Sequence, residues 1–211
     1  MVQPLITTMG ADIAAQRPAG ATRRANLWWS IGAVFAGAVA TLYFYRGFFF
    51  SGFQHLQGDS GDGLLTSVIS KHWPLLPTSG FGWNDLGFYY PAPDTLGYSD
   101  TLLLNGAIQP LFKVVGVDSL LWFQISMVVF TVVGYGCTIA FLRNGPRVPW
   151  AVAVPTALVV SFGSGLYVAS LHPQLLMFQL LPACALLALM AFRAAPGWRG
   201  RVCGLGAGVL L

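Results

Sequence analysis

The stretch Gln-Gly-Asp-Ser-Gly-Asp-Gly at residues 57–63 belongs to a polar loop, residues 51–118, that separates long apolar runs of the chain. Six of the seven acidic residues and two of the three histidines lie in this loop. They are Asp59, Asp62, Asp85, Asp94, Asp100, Asp118, His55 and His72. Almost all of the titratable acid of an otherwise apolar chain is thus concentrated in one segment between the apolar runs. We therefore predict that the chemistry of the protein is concentrated in this loop.

The composition of the chain indicates a membrane protein. Charged residues make up 9% of the 211 residues, whereas soluble domains contain roughly 25%. So few charges cannot cover a water-exposed surface, and apolar runs of about 20 residues have the length of a transmembrane helix. The net charge of +4 comes from arginines near the ends of apolar runs. Because they form no basic patch, nucleic acid is not expected as a partner.

Four apolar runs are long enough to cross a bilayer. They divide the chain into a cytoplasmic tail at 1–26, transmembrane helix 1 at 27–50, an external loop at 51–118, and transmembrane helices 2–4 within 119–211. The three later spans are predicted at 119–142, 149–169 and 175–192. The apolar residues 202–211 are interpreted as the start of a fifth helix, which predicts that the chain is an N-terminal fragment. The expected fold class is an all-α polytopic transmembrane protein with interfacial helices in the first external loop.

The distribution of basic residues predicts the orientation of these spans. Eight of the eleven lie in the N-terminal tail, in the loop between spans 2 and 3, or after span 4. Alternation of the spans places these three segments on one side, and the positive-inside rule makes that side cytoplasmic. The polar loop and the short turn at 170–174, which contains His172, are therefore expected to share the outer face.

The first part of the polar loop predicts a short helix at residues 62–73 that lies on the membrane surface. At 100° per residue, one arc is apolar and the other is polar. The apolar arc contains Leu64, Leu65, Val68, Ile69, His72 and Trp73, and the polar arc contains Ser67, Ser70 and Lys71. This is the pattern of an interfacial helix, with Asp62 at the margin of the apolar arc. Pro74 and Pro77 are expected to end the helix.

A second short helix is predicted at residues 99–115, with Ser99 as its cap and Gly116 just past its end. Asp100 lies in its first turn, and Pro110 is expected to kink or divide it. Between the two helices, residues 78–98 mix glycine, proline, asparagine and aspartate with aromatic residues. That mixture predicts an irregular segment with an aromatic surface. Asp118 is expected to cap the second span.

Two kinds of membrane protein fit such a chain, a transporter and an enzyme. A proton- or ion-coupled transporter usually has ionisable groups near the middle of the bilayer, and the four predicted spans have none in their interiors. An enzyme that acts on a lipid-linked substrate fits better, because the ionisable residues are expected at the outer boundary of the membrane. Transfer of a sugar from a lipid phosphate to a hydroxyl requires a general base for the hydroxyl. It also requires stabilisation of the leaving phosphate.

The order of these features resembles the GT-C superfamily of polytopic glycosyltransferases, especially YfhO-like and uncharacterised bacterial GT-C-type membrane proteins. The resemblance is carried by GDSGDGLLTSVISKHW at 58–73, FYYPAPDTLGYSDTLLL at 88–104 and HPQLL at 172–176. It implies a polyprenyl-phosphate-linked sugar donor and an aspartate base in the first external loop, which would be Asp59 or Asp62. It also implies an integral protein of the bacterial inner membrane, with a cytoplasmic N-terminus and a periplasmic or extracellular loop.

The candidate catalytic residues are therefore Asp62 and Asp59. The candidate substrate-binding residues are His55, Lys71, His72, Tyr98, His172 and Gln174. Structural roles remain open, because Asp59 can cap the helix at 62–73 and His72 can be an amphipathic residue at the lipid boundary. No metal-ligand spacing stands out, although Asp59 and Asp62 can share a divalent cation. The alternative function is a non-catalytic polytopic membrane protein that assists lipid or polysaccharide export.

Overall fold

The structure of the protein is a computed structural model. It describes residues 19–55, 61–80, 82–86, 91–98, 102–163 and 172–194, together with residues 202 and 206. Every regular element in these ranges is helical, and no strand occurs among them. The chain divides into two compact units between Ala38 and Val39, within the first helix. The packing and the site described below belong to the second unit.

Seven α-helices and two 3₁₀ helices make up the described part of the chain. The α-helices are α1 (Ala19–Phe44), α2 (Arg46–Phe50), α3 (Asp62–Ser79), α4 (Leu103–Val114), α5 (Ser119–Asn144), α6 (Trp150–Phe162) and α7 (Leu181–Arg193). The 3₁₀ helices are Thr95–Tyr98 and Pro173–Leu180. Helix α5 is central in the second unit, because α3, α4, α6, α7 and the second 3₁₀ helix all pack against it.

Among the described residues, two helices are long and apolar enough to cross a membrane: Arg24–Phe44 within α1, and Ser119–Asn144, which is α5. The described residues of the third and fourth predicted spans contain shorter helices. Helix α6 has 13 residues, and the fourth run divides into the second 3₁₀ helix and the 13 residues of α7. A straight helix of that length covers about 20 Å, which is less than a hydrocarbon layer of about 30 Å. The predicted fifth helix lies almost entirely outside the described residues.

Helix α3 is longer than predicted and continues through both of its prolines. The expectation that Pro74 and Pro77 end this helix is therefore wrong. Proline removes one backbone hydrogen bond from a helix, but tertiary packing can outweigh that local cost. Here α3 packs against α4, and Lys113 Nζ of α4 donates a hydrogen bond to the Pro74 carbonyl at 3.2 Å. Gly80, in the left-handed conformation with φ of 72°, follows the last turn.

The start of helix α4 differs from the sequence-based expectation. Its N-cap is Leu102, which has φ of 48° and provides no side-chain cap. The predicted cap Ser99 and the first-turn residue Asp100 lie outside the described residues. Pro110 lies inside a continuous helix, so it does not divide α4.

The connection from α4 to α5 is confirmed as predicted. Gly116 follows α4 with φ of 82°, and the N–H groups of Gly116 and Val117 donate to carbonyls of the last turn at 3.0 Å. This is the paired hydrogen bonding of a Schellman motif. Asp118 then caps α5, because its Oδ2 accepts a hydrogen bond from the Leu120 N–H at 2.8 Å. After this turn, α4 packs antiparallel to the first part of α5. Gln109 of α4 contacts Ser119 of α5, and the earlier residue Asn105 contacts the later residue Ser126.

The junction between α1 and α2 is anchored to α5 by an aromatic cluster. Tyr45 is fully buried and stacks on Phe48 with ring centroids 5.4 Å apart. Its hydroxyl hydrogen-bonds to Thr131 Oγ1 at 2.7 Å and to the Met127 carbonyl at 3.1 Å. These contacts hold the beginning of the polar loop against the central helix.

The interior of the second unit contains many neutral polar side chains. They include Thr66, Ser67, Ser70, Asn105, Gln109, Gln124, Ser126, Thr131, Ser161 and Gln179. Its surface exposes many large apolar side chains, including Leu42, Leu64, Val68, Val129, Val132, Val133, Val159, Val160, Phe178, Leu181 and Met190. Helices that associate in lipid pack through small and polar residues and leave apolar residues outside. The described part of the chain shares the buried polar groups and the exposed apolar surface, and it also has a buried apolar core that includes Phe48, Phe123 and Met127.

Helix α3 buries much of the face that its sequence pattern predicts to be polar and outward. Ser67 and Ser70 are 6% and 1% exposed, whereas Leu64 and Val68 are 58% and 42% exposed. The expectation for the two serines is therefore wrong, while Lys71 is exposed as predicted. The physical reason is that α4 offers hydrogen-bond partners to Ser70, while Ser67 Oγ donates to the Leu64 carbonyl of its own helix at 2.7 Å.

Four side chains form what we call the buried polar network: Ser70, Asn105, Gln109 and Ser126. Ser70 Oγ donates to Asn105 Oδ1 at 3.0 Å, and it also lies 3.4 Å from Gln109 Oε1. Asn105 Nδ2 donates to Ser126 Oγ. Trp122 Nε1 donates to the Asn105 carbonyl at 3.2 Å. The network joins α3, α4 and α5 through neutral groups that are all buried.

Candidate functional site

The first residue of α3 and the residue before the second 3₁₀ helix meet, although 110 positions separate them in the chain. His172 Nδ1 is hydrogen-bonded to Asp62 Oδ2. Both were predicted as site residues, Asp62 as a catalytic candidate and His172 as a substrate-binding one. The contact also puts the polar loop and the turn after α6 at the same end of the unit.

Asp62 is held at the start of a long helix. It follows the N-cap Gly61 and is the acidic residue of the first turn of α3. The positive end of the helix dipole favours the ionised carboxylate at this place. Farther along, α3 packs on α4 so closely that a Cβ at Gly106 would lie 1.9 Å from the Trp73 ring. The carboxylate is therefore attached to an element that is fixed on the rest of the unit.

His172 is held by the 3₁₀ helix that follows it. Pro173 begins this helix, and Leu175 N–H donates to the His172 carbonyl at 2.9 Å. At the other end, Gln179 Nε2 donates to the Ser161 carbonyl at 3.0 Å. The Gln179 backbone lies against α5, where a Cβ at Gly134 would be 2.2 Å from the Gln179 carbonyl oxygen. Because Gly134 has no side chain, this segment can lie close to α5.

The Asp62–His172 pair is accessible to a ligand. The side chains are 38% exposed for Asp62 and 47% exposed for His172. A carboxylate with an imidazole can accept a proton from a hydroxyl, or the protonated imidazole can stabilise an anionic phosphate. Both actions need an open approach to the ring, and the observed exposure provides it.

Neither of the other two histidines has a hydrogen bond to this pair in the described part of the chain. His72 is buried, and its Nε2 is hydrogen-bonded to the Trp83 carbonyl at 3.0 Å. It lies ten residues after Asp62, or about 15 Å along α3. His55 has an exposed side chain, and its carbonyl accepts a hydrogen bond from Gln124 Nε2.

The remaining predicted site residues cannot be placed at the pair. Asp59 lies outside the described residues, as does any cation site that Asp59 and Asp62 would share. Tyr98 and Gln174 belong to the two 3₁₀ helices, and their side chains lie outside the description. Within the described ranges, no group of three or more histidine, cysteine or acidic residues is arranged to hold a metal ion.

Two loop aspartates have structural partners. Asp94 has a left-handed backbone with φ of 58° and accepts a hydrogen bond from Asn84 Nδ2. Thr95 Oγ1 donates to Asp85 Oδ1 at 3.3 Å. Aspartate tolerates this left-handed conformation and bonds locally.

Sequence reasoning did not identify the buried polar network. One signal was available, since Asn105 and Gln109 are four residues apart in an otherwise apolar helix and must share a face. The partners on α3 and α5 could not be identified in the same way, because serine occurs on every kind of surface.

No protein-family model, curated protein or solved structure matches this chain. The likeness to GT-C glycosyltransferases therefore remains a prediction from the sequence motifs.

Proposed function

We propose that this protein is a polytopic membrane glycosyltransferase of the GT-C type. It transfers a sugar from a polyprenyl-phosphate donor to an acceptor at the outer face of the bacterial inner membrane. The hydrogen bond between Asp62 and His172 carries the proposal. It joins residues from two of the stretches that carry the resemblance, 58–73 and 172–176. The pair offers an accessible base in the loop where the resemblance implies one.

The membrane part of the proposal is supported by the polarity of the fold. In the described part of the chain two helices have the length and composition of membrane spans. Many large apolar side chains are exposed, and the interior combines an apolar core with many neutral polar groups. In this proposal α6 and α7, with the segments that join them, complete the third and fourth crossings. The lipid bilayer then surrounds the exposed apolar surface.

The orientation of the protein follows from its arginines. Arg143 donates to the Val148 carbonyl at 2.7 Å, and Arg193 donates to the Asn144 carbonyl. These arginines gather where α5 and α7 end, and the positive-inside rule assigns that end to the cytoplasm. The Asp62–His172 pair then faces outward.

Cysteine labelling tests this orientation. Single cysteines at Gly61 and Asn144, both exposed positions, are introduced into a background without the native cysteines. An impermeant thiol reagent added to intact cells is expected to label position 61 and to leave position 144 unlabelled until the membrane is opened. Labelling of position 144 in intact cells would reverse the proposed orientation.

The function is tested by consumption of a lipid-linked sugar. The complete gene product is placed in liposomes with a panel of radiolabelled polyprenyl-phosphate sugars. For Asp62→Asn, turnover is expected to fall about 10²–10⁴-fold, the usual loss for general acid–base catalysis.

Asp118→Asn is the matched control for this experiment. Asn is as good a helix cap as Asp, so the same loss of charge at Asp118 is expected to leave turnover unchanged. Equal turnover of the wild type and Asp62→Asn would refute a role for the pair in catalysis. Absence of turnover with every donor would favour the export-assisting alternative.

A further inference from the structure

We propose that His172 Nε2, and not Asp62, takes the proton from the acceptor hydroxyl, while Asp62 is a positioning residue that holds the imidazole. This assignment rests on the glycosyltransferase function proposed above. It differs from what the sequence motifs imply, which is an aspartate acting directly as the base.

The hydrogen bond determines which ring nitrogen is available. An ionised carboxylate can only accept hydrogen bonds, so the Nδ1 that faces Asp62 Oδ2 carries the ring proton. In the neutral imidazole the other nitrogen then has a lone pair and acts as an acceptor. Nε2 of His172 has no hydrogen-bond partner among the described residues.

Imidazole as a chemical group also suits the role of a general base. Histidine side chains are ordinarily stronger bases than aspartate side chains by more than about 100-fold. A general base works best when its own proton affinity suits the pH of the reaction. Asp62 contributes by fixing the tautomer and by stabilising the imidazolium that forms, as the carboxylate does in a serine–histidine–aspartate triad.

The local structure suits these roles. Asp62 is held at the positive end of α3, where the helix dipole favours its charge. His172 precedes a segment that Gln179 fixes to the Ser161 carbonyl and that lies directly on Gly134. The two elements pack against each other, so the ring position depends on both.

The proposed step is a displacement at the anomeric carbon of the donor sugar. The acceptor O–H proton moves to Nε2, and the oxygen forms a bond to the anomeric carbon. The bond from that carbon to the phosphate oxygen breaks, and its electron pair stays on the polyprenyl phosphate. The imidazolium then loses its proton to water, which restores the neutral ring. No oxidant, reductant or further reactant is needed.

Chemical rescue tests the assignment in the complete gene product. His172→Gly is expected to lower kcat about 10²–10⁴-fold with little change in KM, and added imidazole is expected to restore part of the lost kcat. Asp62→Asn is expected to lower kcat without any rescue by imidazole. In this variant the His172 ring is still present, but it is no longer held in the right orientation. The wild type with added imidazole is the control.

A second measurement does not depend on turnover. In protein labelled with ¹⁵N-histidine in lipid nanodiscs, His172→Gln identifies the His172 signals by their loss. We expect shifts of the Nδ1–H tautomer in the wild type, and loss of that preference in Asp62→Asn.

Each failure has a distinct signature. Full activity of His172→Gly beside an inactive Asp62→Asn would overturn the assignment while the glycosyltransferase function stands. The Nε2–H tautomer in the wild type would also overturn it. Failure of the wild type to consume any donor would overturn the proposed function, and the catalytic assignment with it.

Discussion

The buried polar network and the Asp62–His172 pair are both built from segments distant in sequence, but they differ in charge and exposure. The network consists of neutral serine, asparagine and glutamine side chains, and Asn105 is fully buried. The pair consists of two ionisable side chains that are 38% and 47% exposed. Neutral groups can be buried at low cost when they hydrogen-bond to each other, whereas a buried charge is expensive.

This difference separates the two roles. In the interior, a hydrogen bond that loses its partner costs the full desolvation of the group left behind. At an exposed end, an ion pair usually contributes little to stability, since water solvates its members when it opens. We therefore expect the network to determine whether the helices assemble, and the pair to determine whether the assembled protein is active.

The largest effect on stability is expected from Gly134→Ala. The new Cβ would lie 2.2 Å from a backbone oxygen of Gln179, and such overpacking costs about 1–3 kcal/mol or more. Gly136→Ala is the matched control, since nothing lies within 4 Å of its Cβ position and alanine favours a helix by about 1 kcal/mol. Thermal unfolding in detergent should show a lower midpoint for Gly134→Ala alone. Equal midpoints would mean that the 3₁₀ segment does not lie on α5 as described.

A smaller loss is expected from Asn105→Leu. The change removes the amide that Ser70 and Ser126 contact, but Ser126 Oγ still donates to the Phe123 carbonyl at 2.7 Å and Ser70 Oγ still lies 3.4 Å from Gln109 Oε1. The expected cost is therefore that of a lost hydrogen bond, about 1 kcal/mol. The double variant Asn105→Leu with Ser126→Ala should lose less than the sum of the two single variants, because it removes both members of one hydrogen bond. Strict additivity of the unfolding free energies would show that Asn105 and Ser126 do not interact.

The smallest effect on stability is expected at the Asp62–His172 pair. Replacing both residues by alanine should lower the free energy of unfolding by less than about 1 kcal/mol. The midpoint of denaturation for Asp62→Ala with His172→Ala is compared with that of Asn105→Leu. If the double alanine variant lowers the free energy of unfolding by more than Asn105→Leu does, the pair has a structural role. The proposed difference between the two regions would then be wrong.

Much of the local structure could be predicted from sequence, because it depends on neighbouring residues. The cap at Asp118 and the left-handed Gly116 are examples, since each needs only the chemistry of one or two adjacent positions. The ends of α3 could not be predicted in this way. Pro74 and Pro77 are helix breakers by propensity, and the contact of Lys113 with the Pro74 carbonyl comes from a distant helix.

The candidate site shows the same division. Sequence reasoning selected Asp62 and His172 separately, because acidic residues and histidines are rare in so apolar a chain. It also placed the loop and the turn on one face through the arginine distribution. It did not predict that the carboxylate and the imidazole bond to each other, because a pattern along the chain carries no distance between positions 110 residues apart.

The sequence by itself determined that the described elements are helical, which runs are apolar enough to lie in lipid, and which few residues can carry charge. These properties follow from composition and short-range periodicity. Only the tertiary structure decided that the serine face of α3 turns inward, and that Asp62 selects one nitrogen of His172 for the bond. Both depend on which groups find a partner once the helices pack. The reason is that a polar group removed from water is stable only where another chain segment satisfies it.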